Sequence, residues 1–214
     1  MRSHGAVING APASSGLESM GEASSQVIVI AGPNGAGKTT LAPFLLRDTL
    51  KLREYVNAVS IALGLSGFDP ASVAFKAGRM MMNRLHELAG QRKSFAFETT
   101  LAARSYAAWI EKLRGEGYDF QLMFLWLRSP DLAVHRVRQR VRSGGHDVAE
   151  PVIRRRYQAG LHNFWALYQP LADAWSVYDN SVSSEPVSIA SGGATRQLMV
   201  LEKDSWTDFS KNQP

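Results

Sequence analysis

The 214-residue sequence contains no cysteine, which excludes disulfides and thiolate chemistry. Histidine is scarce: the five present are scattered, with no pair at metal-ligand spacing, so no zinc site is expected. No apolar run approaches the ~20 residues needed to cross a bilayer. The N-terminus carries Arg2, but only Val7 and Ile8 stand as an apolar pair among small and polar residues, which is not a secretory signal. These absences point to a cytoplasmic protein without a membrane partner. The rest is ordinary for a globular chain, with 45% hydrophobic and 20% charged residues. A formal charge of +5 favours an anionic partner, and nucleotide and nucleic acid both satisfy it.

Residues 1 to about 25 are rich in Gly, Ser and Ala without periodicity and are expected to form a flexible tail. Residues 26–214 then make one domain, with no internal repeat and no linker. Val27 to Ala31 is apolar on both faces, as in a buried parallel strand. A glycine-rich loop follows, and then a helix through Leu45-Leu46. A short extended piece at Tyr55-Val56 leads into a loop to Phe68. Asp69-Pro70 has the form of an N-cap with proline at the first helical position. It opens a helix to about Gln91, with Val73, Ala77, Met81, Leu85 and Leu88 on one stripe.

Ser94 to Phe97 is the next strand, ending at Glu98, and a helix through Trp109, Ile110 and Leu113 stops near Gly115 and Gly117. Phe120 to Leu127 is a long apolar strand. Ser129-Pro130 starts a helix that carries Val134, Val137 and Val141 inward and breaks at Gly144-Gly145. Pro151 opens a further helix to Leu167 or Tyr168, Trp175 to Tyr178 is a strand, and the segment around Ser191-Gly192-Gly193 is a terminal hairpin. Strands alternating with helices predict an α/β fold: three αβα layers around a mostly parallel sheet.

Gly32-Pro33-Asn34-Gly35-Ala36-Gly37-Lys38-Thr39 matches the Walker A pattern G-x-x-x-x-G-K-[ST] at every fixed position, and Thr40 extends it. Glycines let the backbone curl so that successive N–H groups point at one phosphate, and the loop opens onto a helix N-terminus with its partial positive charge. Lys38 is placed to reach the β- and γ-phosphates of ATP, and Thr39 to offer its hydroxyl to magnesium. A buried strand before the loop and a helix after it supply the context this P-loop NTPase motif requires.

The motors and ABC-type ATPases of this superfamily need an apolar strand ending in Asp-Glu, whereas Phe120 to Leu127 ends in Arg128-Ser129; Ser191-Gly192-Gly193 is too isolated for a signature loop. A small kinase instead needs cations over the transferred phosphate. Arg136, Arg138, Arg140 and Arg142 lie on one helix, Ser143-Gly144-Gly145 gives a hinge, and Arg154, Arg155 and Arg156 follow, so an arginine-rich helical lid is expected. Arg136 and Arg140 share one flank and Arg138 and Arg142 the other, so not all can face one ligand. Arg138 and Arg154 are read as solvated. No aromatics interleave with these arginines, so no nucleic-acid partner is expected. Glu98, at a strand end facing the binding crevice, can hold a hydroxyl or a metal-bound water.

The segments Ala31–Thr40 (AGPNGAGKTT), Tyr55–Ala62 (YVNAVSIA), Ser94–Leu101 (SFAFETTL), Arg140–Tyr157 (RVRSGGHDVAEPVIRRRY) and Tyr178–Ser181 (YDNS) together resemble the zeta-toxin family of P-loop kinases, in its short bacterial branch. The resemblance implies transfer of the ATP γ-phosphate to a sugar hydroxyl of UDP-N-acetylglucosamine, a nucleotide-sugar acceptor, and an antitoxin partner. It implies roles for Lys38 and Thr39 at the nucleotide and magnesium, for Glu98 beside the substrate, and for Arg140 or Arg142 together with Arg155 or a neighbour at the phosphates. The chain departs from the family at Asn57-Ala58-Val59, where relatives carry Asn-Ala-Asp and that aspartate is the base on the acceptor hydroxyl. Valine accepts no proton and is expected to pack against the core. Glu98, or less favourably Asp69, then takes over the base role, or the base matters little; otherwise the chain is an impaired, ATP-binding module. A kinase for another nucleotide-like acceptor is the remaining alternative.

Overall fold

The computed structural model describes residues 24–43, 46, 50–182 and 185–213. The expected N-terminal tail, residues 1–23, and the expected helical position Leu45 lie outside these. Strand β1 (Gln26–Ala31) is buried at all but its first position, so helices cover both of its faces, and its run of Val and Ile suits a central parallel strand. It enters the glycine-rich loop and then helix α1 (Lys38–Pro43).

Strand β2 is short (Tyr55–Val56). Behind it lies a helix where the sequence suggested loop: α2 (Ala58–Leu65), capped by Asn57, whose side-chain oxygen accepts from the Val59 and Ser60 backbone N–H groups. The next helix, α3, runs Ala74–Gly90, four residues later than the Asp69-Pro70 pair suggested. Asp69 caps only a turn, accepting from the Ser72 N–H at 3.3 Å. Val73 is therefore the residue before α3 and not part of its buried stripe, which is Ala77, Met81, Leu85 and Leu88.

The remaining elements are β3 (Phe95–Thr99), α4 (Ser105–Gly115), β4 (Asp119–Trp126), α5 (Pro130–Arg142) and α6 (Glu150–Asn163). A π-helical turn (Phe164–Tyr168) and the short α7 (Gln169–Leu171) lead into β5 (Ala174–Asp179). Then come β6 (Val187–Gly192), β7 (Met199–Val200) and α8 (Lys203–Ser210). Ser129 caps α5 by accepting from the Leu132 N–H at 3.1 Å, with Pro130 at the first helical position. Val134 and Val137 point inward, but Val141 is exposed because α5 reaches past the core in its last turn.

The sheet order is β2-β3-β1-β4-β5-β6-β7. The first five strands pair in parallel; β6 and β7 join antiparallel as the terminal hairpin. Helix α8 follows that hairpin, a helix with no counterpart in the sequence reading. Its Phe209 is fully buried and meets Phe124, Trp126, Phe164 and Trp165 in one aromatic cluster, while Trp206 stacks on Trp175 with ring centres 5.9 Å apart. The α/β layering with a mostly parallel sheet places the phosphate loop and Glu98 side by side at the C-terminal ends of β1 and β3, where Ile30 pairs with Glu98.

Candidate active site

The phosphate loop is built from residues that no side chain could replace at its turning points. Gly32, Gly35 and Gly37 all have positive φ. At Gly32 a Cβ would stand 2.2 Å from the Leu125 carbonyl oxygen, so the loop can lie against the end of β4 only with hydrogen there. The loop is braced from β5: Asn180 donates to the Ala36 carbonyl at 2.9 Å. Arg136 donates to the Ser181 carbonyl at 3.2 Å, and the buried Asp179 accepts from Arg128 at 2.9 Å.

Lys38, the first residue of α1, folds over the loop and donates to the Gly32 and Pro33 carbonyls at 2.8 and 2.9 Å. Burial pushes its ammonium down to about 8; Arg140 and Arg156 push the same way and Glu98 opposes them. Thr39 donates its hydroxyl to Glu98 Oε2 at 3.0 Å. Tyr55 donates its hydroxyl to the other carboxylate oxygen, and Asn57 donates to both the Tyr55 hydroxyl (3.2 Å) and the Thr39 hydroxyl (3.4 Å). Burial, and then the Glu98 charge, raise the Tyr55 phenol far above its ordinary value, so it remains a donor at every physiological pH. Three side chains, from β2, the cap of α2 and α1, thus hold the β3 carboxylate in place, Tyr55 and Thr39 directly and Asn57 through both of them.

Lys38, Thr39, Asn57 and Glu98 line a cleft of about 840 Å³ that also takes in Arg136, Arg140, His146, Arg155 and Arg156. Arg140 donates through Nε and a terminal nitrogen to the His146 carbonyl at 3.1 and 2.6 Å, fixing the α5–α6 loop over the cleft. Burial lowers the Arg140 and Arg156 guanidinium values, with Arg155 adding to the effect at Arg156, and burial and Arg140 hold the His146 imidazole below its ordinary range. Among the described residues Glu98 is the one carboxylate lining this cleft. Partly buried cations with so little countercharge are suited to a polyphosphate, and the curled loop supplies its backbone cradle. Among the described residues no three His, Cys, Asp or Glu side chains gather to hold a metal. The Thr39 hydroxyl and Glu98 are nevertheless paired oxygen donors of the kind a hard cation takes together with phosphate oxygens.

Of the residues singled out from sequence, the structure brings Asn34, Gly35, Gly37, Lys38, Thr39, Thr40, Glu98, Arg140 and Arg155 to this cleft. Gly32 and Ala36 shape the loop beneath it. Arg142 does not join them. With Arg138 it lines a separate 420 Å³ groove on the opposite flank of α5, as the i, i+4 geometry requires. Arg138 pairs with Glu150, and Arg154 with Glu150 and Asp131. Asp69 lies outside the cleft. Val59 does not pack against the core: it is 38% exposed and faces the cleft from the first turn of α2. Tyr55, Arg136, Arg156, His146 and Asn180 were not singled out as site residues. The partial signals were the Arg-Arg-Arg run, which left Arg156 open as a neighbour of Arg155, and the YDNS segment; nothing local marks Tyr55.

The zeta-toxin family profile matches residues 69–184, just over half of the chain; the phosphate loop precedes the matched span. An uncharacterised protein of Haemophilus influenzae is 27% identical over 132 residues, 62% of this chain and 92% of its own length. Among solved structures, the AvrRxo1-ORF1:-ORF2 complex with ATP matches with a TM-score of 0.69 and 18% identity, over 90% of this chain and 65% of that one. The PezAT chromosomal toxin–antitoxin system of Streptococcus pneumoniae matches with a TM-score of 0.58 and 15% identity, over 88% of this chain and 85% of that one. The chain therefore spans under two thirds of the AvrRxo1 complex chain, and at these identities the likeness is one of fold.

Proposed function

This chain belongs to the zeta-toxin family, and on that premise we propose that it is a cytoplasmic ATP-dependent kinase that phosphorylates an alcohol hydroxyl, with UDP-N-acetylglucosamine as the first acceptor to test. The observation that carries the reading is the single cleft in which Lys38 and Thr39 of the phosphate loop face Arg136, Arg140, Arg155 and Arg156 across one carboxylate, Glu98. The acceptor oxygen attacks the γ-phosphorus, the bond from that phosphorus to the β,γ-bridging oxygen breaks, and ADP leaves. Lys38 and the arginines hold the charge on the transferred group, and Glu98, fixed by Tyr55 and Thr39, takes the hydroxyl proton. Magnesium, when bound beside Thr39, neutralises charge on the β- and γ-phosphates.

One fold neighbour is a chromosomal toxin–antitoxin system, which supports an antitoxin protein as partner. A second reading has its own observation. Val59 faces the cleft where a carboxylate could stand, so the chain could hold ATP without efficient turnover; absence of a base typically costs ~10²–10⁴ in rate. Mass spectrometry of the protein incubated with ATP, magnesium and a panel of UDP-sugars and nucleotides separates the readings. The kinase reading expects a phosphorylated acceptor from wild type and none from Lys38→Ala. Product that forms only after Val59→Asp makes the natural chain an impaired kinase. ATP binding with no product from either protein removes the UDP-sugar assignment.

A further inference from the structure

The two halves of the cleft differ in chemistry. Every cation that lines it comes from the phosphate-loop helix, α5 or α6. The half formed by α2 and the β3–α4 connection contributes Val59, Leu63, Ala102, Ala103 and Tyr106, and its one charge is Glu98. Val59 and Leu63 stand one turn apart on α2, so they share a face. They are 38% and 45% exposed, and that exposure opens into the cleft. Tyr106, half-buried against Phe97 with ring centres 5.2 Å apart, presents an aromatic surface to the same space, and burial raises its phenol.

Exposed aliphatic side chains inside a concave site with a few convergent polar groups are the usual lining for a small-molecule body. Covering them releases water, a gain that grows with the apolar area covered. An anionic group in this half would lose solvent and meet the Glu98 carboxylate, and neither α2 nor the β3–α4 connection lines it with an arginine or lysine. Resting on the kinase reading above, we infer that the acceptor brings an uncharged body with an apolar face, which seats on Val59, Leu63 and Tyr106 with its hydroxyl toward Glu98. Any anionic part of the acceptor lies toward Arg155 and Arg156 of α6. Val59 and Leu63 are thus specificity-determining residues, selecting an acceptor whose hydroxyl-bearing body is uncharged over one that would bring an anionic group into this half.

The test is methyl NMR on the full chain with labelled valine and leucine, in saturating magnesium and a non-hydrolysable ATP analogue. It is titrated separately with 2-phenylethanol and with glycerol 3-phosphate. The neutral alcohol is expected to shift the Val59 and Leu63 methyl signals, and glycerol 3-phosphate to leave them in place. Loss of one well-packed aliphatic group is worth roughly tenfold or more in recognition. Leu63→Asn should therefore weaken 2-phenylethanol about tenfold while the analogue binds as before. Both positions are exposed on α2, and circular dichroism checks that the helix persists. Methyls that ignore 2-phenylethanol, or that move further with glycerol 3-phosphate, overturn the inference. Failure of the analogue to bind wild type counts instead against the kinase reading, since the two methyls report the acceptor class by themselves.

Discussion

At the residue scale the site rests on two half-buried polar groups with opposite needs. Lys38 is held near 8, below the ordinary lysine value of 10.5. Below pH 8 it is charged in both folded and unfolded chains, and its burial costs stability. Between about 8 and 10.5 the unfolded chain keeps the proton that the folded chain has released, so stability rises with pH across that window. Thermal melts without nucleotide should show this rise for wild type and not for Lys38→Met, which should melt higher at pH 7. ATP affinity should fall as pH climbs through 8, because the free lysine no longer carries its charge. Tyr55, by contrast, stays protonated and ties down Glu98. Tyr55→Phe should lower kcat by about 10- to 100-fold, the worth of a hydrogen bond to a charged group, with the ATP KM unchanged. Steady-state kinetics checks this, and an equal loss in both constants contradicts a positioning role. Lys38 was legible from its motif. Tyr55 was not, because a two-residue strand carries no periodicity and its partner Glu98 is 43 residues away.

At the element scale, α5 sorts its arginines by helical phase. The sequence showed that two faces exist; only packing on α6 decides which face meets the phosphate loop. Val134 and Val137 point inward, which turns Arg136 and Arg140 to the cleft and Arg138 and Arg142 to the far groove. The Ser129-Pro130 start was readable because cap and proline are local chemistry. Ser129→Ala should cost about 0.5–2 kcal/mol in urea unfolding through loss of that cap. Helix α2 escaped notice because Val59, Ile61 and Gly64 are poor helix formers and Gly64 and Gly67 suggested turns; Asn57, a good N-cap residue, was the available signal. Helix α8 escaped for a related reason: it is short, and Trp206 and Phe209 become a recognisable buried face only against the aromatic cluster formed by β4, the π-helical turn and β5.

At the scale of the whole molecule, strand order and the α6 contacts join the two halves of the cleft. The parallel order β2-β3-β1-β4 sets Tyr55, Glu98 and the phosphate loop in neighbouring strand ends. Helix α6 then binds the β3–α4 connection: Asn163 donates to the Leu101 carbonyl at 2.7 Å, and at Gly160 a Cβ would stand 2.3 Å from the Thr100 carbonyl oxygen. Gly160→Ala should therefore destabilise the fold by about 1–3 kcal/mol, through overpacking at a site far from the phosphate loop in sequence, and denaturant unfolding measures it. The parallel sheet was legible from alternating apolar runs, whereas these long-range contacts have no local pattern to announce them. The most direct measurement is transfer of label from γ-³²P-ATP into a desalted small-molecule cell extract by wild type, Lys38→Ala, Arg140→Ala and Arg142→Ala. Labelled product from wild type and Arg142→Ala, with little or none from Lys38→Ala and Arg140→Ala, is expected if the cleft is the site of transfer. Transfer that survives Lys38→Ala, or that is lost equally with Arg142→Ala, would contradict it.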